Sequence, residues 1–138
     1  MGAQYSHTCN KCGYSVTTSG PWELYRDRQG ERRWYGHPVP LSDEAKKRGI
    51  HGLSGTVYCP SCDERCDLIL VEFKKPSHDS LSVWSGKCEP LDEFKEKGAV
   101  KCPRCGHSDL ILGPVEDREI TCPRCKEGRL VGKMDWIS

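Results

Sequence analysis

Apolar residues are scarce in this chain and never run long. Hydrophobic types make up 36% of its 138 residues, and the mean hydropathy is −0.68. A single large core is therefore excluded as the main source of stability. No stretch approaches the ~18 apolar residues of a membrane span. No apolar segment follows Met1, as a secretory leader would require. A soluble, reducing, cytoplasmic setting without a membrane partner is the expectation. Charge of one sign is also lacking: 21 Lys and Arg against 20 Asp and Glu leave a net +1. That balance excludes attachment to nucleic acid by bulk charge, so any such role has to rest on a local patch. Catalytic constellations are missing as well. There is no nucleophile–base pair and no phosphate loop, and none of the five histidines has His-x-x-x-His or His-x-Glu spacing. The chain reads as a non-enzyme without a small-molecule substrate.

Cysteine, by contrast, is abundant. Eight of the ten cysteines form four Cys-x-x-Cys pairs: Cys9/Cys12, Cys59/Cys62, Cys102/Cys105 and Cys122/Cys125. A two-residue gap lets both thiolates of one tight turn face a single ion. Two such turns supply the tetrahedral sulfur set that Zn²⁺ accepts. Disulfides have no reason to recur at this spacing, whereas metal knuckles do. Modules of roughly 70 residues sit near the limit of unaided stability, so folding is expected to depend on two Zn²⁺ per chain. Four sulfurs per ion leave no open position for water, which makes the ions structural rather than catalytic.

The simplest division pairs neighbours along the chain. Residues 99–138 hold two Cys-Pro-Arg-Cys knuckles separated by sixteen residues, with short apolar runs at Asp109–Leu112, Glu119–Thr121 and Arg129–Ile137. This stretch resembles the zinc ribbon family, in which two knuckles ride on β-hairpins. Residues 1–75 read as a looser version, with 46 residues between Cys12 and Cys59. Their knuckles, Cys9-x-x-Cys12-Gly13-Tyr14 and Tyr58-Cys59-Pro60-x-Cys62, are also similar to those of rubredoxin. That resemblance implies an alternative, a redox-active iron at the N-terminal site. Asp63 stands where rubredoxin has a second glycine. The expected fold is small, metal-stabilised and mainly β: two tandem zinc-ribbon/rubredoxin-like modules with short helices.

The stretch at about 21–58 reads as an insertion in the first module. Trp22–Arg26 and Glu31–Tyr35 alternate around Asp27-Arg28-Gln29-Gly30 and predict a hairpin. Gly36-His37-Pro38-Val39-Pro40 breaks it. Ser42 then caps a short helix, Asp43–Arg48, stopped by Gly49. Leu68–Phe73 predicts a strand. Residues 76–98 read as a linker, with a helix over Pro90–Gly98. Trp22, Tyr25, Trp34 and Tyr35 lie beside Arg26, Arg28, Arg32 and Arg33. Aromatics that stack on bases next to arginines that meet phosphate make this the candidate partner-binding surface, for RNA or DNA or for a protein complex. Cys66 and Cys88 read as small buried side chains, with replacement of a metal ligand or a redox-sensitive thiol as the alternative for Cys66.

Overall fold

A computed structural model describes residues 2–36, 39–96, 99–113 and 120–137. Six antiparallel strands dominate: β1 (Ala3–Cys9), β2 (Ser15–Arg26), β3 (Arg32–Trp34), β4 (Ile50–Cys59), β5 (Glu64–Ser77) and β6 (Leu130–Ile137). They form one sheet in the order β5-β4-β2-β1-β6, with β3 paired to the distal half of β2. The helices are short, α1 (Asp43–Arg48) and α2 (Ser80–Trp84).

The local expectations for the middle of the chain hold. Strands β2 and β3 make the hairpin, with Leu24 opposite Trp34 and Arg26 opposite Arg32. Helix α1 begins where the Ser42 side chain accepts from the Ala45 N–H and ends at Gly49. Leu68–Phe73 lies within β5. The break at Gly36–Pro40 falls partly outside the described residues, because His37 and Pro38 do so. Glu119 and the terminator Gly98 also lie outside them.

Other expectations are corrected. The stretch at 21–58, expected as an insertion, supplies half of β2, all of β3 and nearly all of β4, and β2 and β4 are interior strands of the sheet. Between Pro90 and Glu96 there is only a 3-10 turn, Asp92–Phe94. That segment is instead tied to the edge of β5, with Leu91 N–H donating to the Glu72 carbonyl at 2.8 Å and Lys74 N–H to that of Glu89 at 2.9 Å. A two-turn helix is marginal alone, and here the backbone pairs with a strand. The linker also carries α2, capped by Asp79, which buries Val83. Leu110–Leu112 contributes a single bridge, Ile111 to Tyr58, rather than a strand.

Two apolar clusters hold the sheet. At the knuckle end, Cys9, Val16, Tyr58, Ile111, Ile120, Cys122 and Leu130 pack together. At the far end, Tyr25, Tyr35, Ala45, Ile50 and Val83 do so, with Leu53, Phe73 and Cys88 against them. Cys88 thus has the packing role expected of it.

Candidate metal centres and an aromatic cleft

Each knuckle turns on the same backbone device. The residue after the second cysteine adopts a left-handed conformation: φ is 78° at Gly13, 55° at Asp63, 76° at Gly106 and 60° at Lys126. Glycine fits there without cost and Asp is tolerated. No contact explains the choice of lysine at the fourth. The first knuckle is the turn between β1 and β2, and the second the turn between β4 and β5.

Tertiary pairing then brings the knuckles together in a nested order that differs from the tandem expectation. An outer site gathers Cys9, Cys12, Cys122 and Cys125, and an inner site Cys59, Cys62, Cys102 and Cys105. The cause lies in the strands. β6 pairs with β1, setting Leu130 opposite Cys9, and so carries the fourth knuckle to the first. Asn10 N–H donates to the Arg129 carbonyl at 3.0 Å, and Arg129 N–H returns a bond to Asn10 Oδ1 at 3.0 Å. A side chain at Gly128 would collide with Cys9 Sγ. In parallel, Tyr58 and Ile111 exchange two backbone bonds of 2.9 Å, which seats the third knuckle on the second. Each site is therefore ribbon-like in its local geometry, with one long hairpin tip facing one short knuckle, but the inner unit is threaded between the halves of the outer one. The modules expected at 1–75 and 99–138 consequently share one sheet and both centres.

The donor sets fit a tetrahedral ion. Zn–S bonds of ~2.3 Å imply sulfurs roughly 3.8 Å apart. The Sγ–Sγ distances are 3.6 Å for Cys9–Cys125 and Cys12–Cys122, 3.5 Å for Cys59–Cys105 and 3.7 Å for Cys62–Cys102. Backbone N–H groups support thiolate character: Cys12 and Lys11 donate to Cys9 Sγ at 3.4 and 3.3 Å, and Gly128 to Cys125 Sγ at 3.3 Å. The N–H groups of Cys12 and then Lys11 help bring Cys9 down to about 6, and those of Cys105 and Arg104 bring Cys102 down to about 6. The N–H groups of Glu127 and Gly128 likewise hold Cys125 below its ordinary value, so backbone donors favour thiolates in both centres. Burial and the neighbouring Cys102 thiol push Cys66 up, so it is a fifth, half-buried thiol beside the inner site. The two knuckles that carry the rubredoxin resemblance belong to different centres, so no single ion is held by Cys9, Cys12, Cys59 and Cys62.

Asp63 ties the centres to each other. Its carboxylate accepts from Tyr14 Oη at 2.9 Å and Tyr58 Oη at 2.8 Å, with Arg124 Nε at 3.9 Å. The Arg124 guanidinium also lies 4.8 Å above the Tyr14 ring. The position that departs from rubredoxin thus keeps the left-handed turn and adds a link from the inner site to both knuckles of the outer one.

The candidate partner residues separate into three groups. Tyr25 and Tyr35 are buried in the far cluster and face no solvent, which removes them from any stacking surface. Arg26 and Arg32 both grip Glu72, at 2.8 and 2.6 Å, although Glu72 is only 5% exposed. Burial pushes the Glu72 carboxyl up, but the bonds from Arg32 and Arg26 outweigh it and hold it below the usual range. Arg33 pairs with buried Asp27 at 3.0 Å, and Asp27 also accepts from the N–H groups of Gln29 and Glu31. Arg28 is exposed near Lys47 and Arg48.

Trp22 and Trp34 remain. With Leu24, Ile69 and Trp136 they line an open cleft of about 760 Å³ on one face of the sheet, with Arg32 and Arg33 at its rim. Trp22 and Trp136 lie 6.0 Å apart at a 35° tilt, and Trp34 is 59% exposed. Sequence reasoning missed Trp136 because it is 114 residues from Trp22, with only a strand pattern around it as a signal. No family model matches the chain, and no curated protein or solved structure matches it either. Among the described residues no helix is long and apolar enough to cross a membrane.

Proposed function

We propose that this is a non-enzymatic adaptor, fastened by two structural Zn²⁺ ions, whose working surface is the tryptophan cleft. Its partner there is an extended, apolar protein segment. One observation carries the choice of partner: three of the four arginines that would meet phosphate are already engaged by buried carboxylates, Arg26 and Arg32 sharing Glu72 and Arg33 on Asp27, while Trp34 stays 59% exposed. A polyanion would have to compete with buried carboxylates for those guanidinium groups, whereas an apolar side chain gains by covering the indoles. Trp and Arg are also the residue types on which protein interfaces concentrate their binding energy. Zinc suits the role because a shell of four thiolates leaves the ion no exchange position and makes it a weak Lewis acid.

Two measurements test this reading. Metal analysis of anaerobically purified protein should return two zinc ions per chain and no visible absorption. A red, reducible iron would make one centre an electron carrier and overturn the structural role. Selection from a random peptide library should yield apolar segments whose binding falls at least tenfold in Trp34→Ala with both zincs retained. Salt-dependent binding of a single-stranded oligonucleotide, lost in Trp34→Ala, with no peptide selected, would assign the cleft to nucleic acid instead.

A further inference from the structure

The two edges of the sheet are treated differently. The β5 edge is covered by residues 89–91, with Pro90 bridging Phe73, and Lys74 pairs with Glu89 and Asp92 at 3.2 and 3.4 Å. A proline and a cluster of charges are ordinary devices for closing an edge. The β6 edge is covered only at its start, where Leu130 N–H donates to the Ile120 carbonyl at 2.9 Å; from Val131 to Ile137 it pairs with β1 on one side and with no other described residue. It also shows Val131, Met134, Trp136 and Ile137 at 56, 45, 47 and 54% exposure. An uncovered edge with four exposed apolar side chains is a template for another strand.

The order of charges along β6 says which strand. Its centre reads Lys133-Met134-Asp135. An antiparallel partner of the same sequence, placed on a two-fold axis through Met134, sets each Lys133 opposite the other copy's Asp135. Both side chains stand on one face. Lys133 is opposite Ser6 in the β1 register, and the Ser6 hydroxyl donates to Asp135. Met134 then meets Met134 on the axis, where a flexible thioether adapts to its own copy. The register against β1 skips Asp135, passing from Met134 opposite Tyr5 to Trp136 opposite Gln4, and the Ser6 hydroxyl holds Asp135 on the Lys133 face.

We propose that β6 is a homodimer interface, joining two copies edge to edge about Met134 into one continuous sheet, with Lys133 and Asp135 as reciprocal ion pairs. The contact is isologous, so it closes at two copies and does not propagate. It leaves both tryptophan clefts on the same face of the joined sheet.

The test is sedimentation equilibrium of the full, zinc-loaded chain between 1 and 200 µM. The wild type should be a dimer. Lys133→Glu places acids opposite acids, and Asp135→Lys places lysines opposite lysines. Each alone should raise the dissociation constant on the order of ten- to a hundredfold. An equimolar mixture of the two variants should recover the dimer, because every pair is again of opposite sign. Recovery also shows that both variants are folded. A wild type that stays monomeric at 200 µM overturns the proposal, and so does a dimer unaffected by either reversal. Two dissociated variants that fail to associate when mixed, while each keeps two zincs and the wild-type circular dichroism spectrum, overturn it equally.

Discussion

The outer site joins Cys12 to Cys122 across 110 residues, while the inner site joins Cys62 to Cys102 across 40. Closing the longer loop costs only about 1 kcal/mol more by chain entropy, since that cost grows with the logarithm of length. What separates the two sites is what each leans on. The outer site rests on eight residues of β6 laid along β1, and on the apolar cluster that contains Tyr58 and Ile111. The inner site rests on the β4–β5 hairpin and one bridge. The bridge segment also receives the Thr18 hydroxyl at the Leu112 carbonyl, so it wedges between the two hairpins. Nesting makes the dependence one-sided: the inner unit supplies core to the outer one, and the outer strand can leave without opening the inner hairpin.

The largest perturbation removes both ions. Structural zinc is worth on the order of 10–16 kcal/mol in small peptides, comparable to the stability of a whole domain. A strong chelator should therefore collapse the amide NMR dispersion of the entire chain. A dispersed spectrum without metal would show that the sheet and its two apolar clusters suffice.

Removing one ion at a time breaks the comparison itself. Cys125→Ser should lower zinc content to one and strip hydrogen-exchange protection from β1 and β6, while the Tyr58 and Ile111 amides stay protected. Cys105→Ser should lose protection at both sites, because Ile111 and Tyr58 leave the shared cluster. Equal and local losses in the two variants would mean that the sites fold independently.

A smaller change sharpens the link between them. Asp63→Gly keeps the left-handed turn but deletes the bonds from Tyr14 and Tyr58, and should cost about 1–3 kcal/mol in chemical denaturation. Asp63→Ala should cost about 1 kcal/mol more, because alanine resists positive φ. In both, zinc should leave the two sites at less similar rates than in the wild type. Equal cost for Gly and Ala would point away from the backbone requirement.

The smallest effect concerns the far end, which is held by charge rather than metal. Glu72 and Asp27 have carboxyls below their ordinary range in the fold. Their contribution is therefore present above the unfolded value near pH 4 and is lost as pH falls through the folded value. Glu72→Gln should cost about 1–2 kcal/mol at pH 7, since both partner arginines remain partly solvated. The gap from wild type should narrow as pH falls through the depressed folded value of Glu72, where the wild-type carboxyl protonates. A gap that does not narrow as pH is lowered would assign the cost to packing.

Local features were legible because local physics sets them. The Ser42 cap and Gly49 stop of α1, the turn between Trp22–Arg26 and Glu31–Tyr35, and the strand at Leu68–Phe73 each follow from a few adjacent residues. Strand β1 and the first half of β2 were not legible, because Ala3–Cys9 and Ser15–Gly20 mix small and polar residues without a strong alternation. Nor was α2, a five-residue helix that buries only Val83. The aromatic-basic cluster was legible as composition but not as surface. Its arginines find Glu72 some 40 residues away, and its two tyrosines turn into the core.

By itself the sequence determined that eight cysteines would act in pairs, since a Cys-x-x-Cys turn needs only its own backbone and the left-handed residue that follows. Which pair meets which was decided by tertiary structure alone. All four knuckles offer the same two sulfurs, so ligand chemistry is indifferent to how they are combined. The choice falls to the strands behind them, β6 on β1 and Ile111 on Tyr58, whose pairing depends on burial shared across the whole sheet.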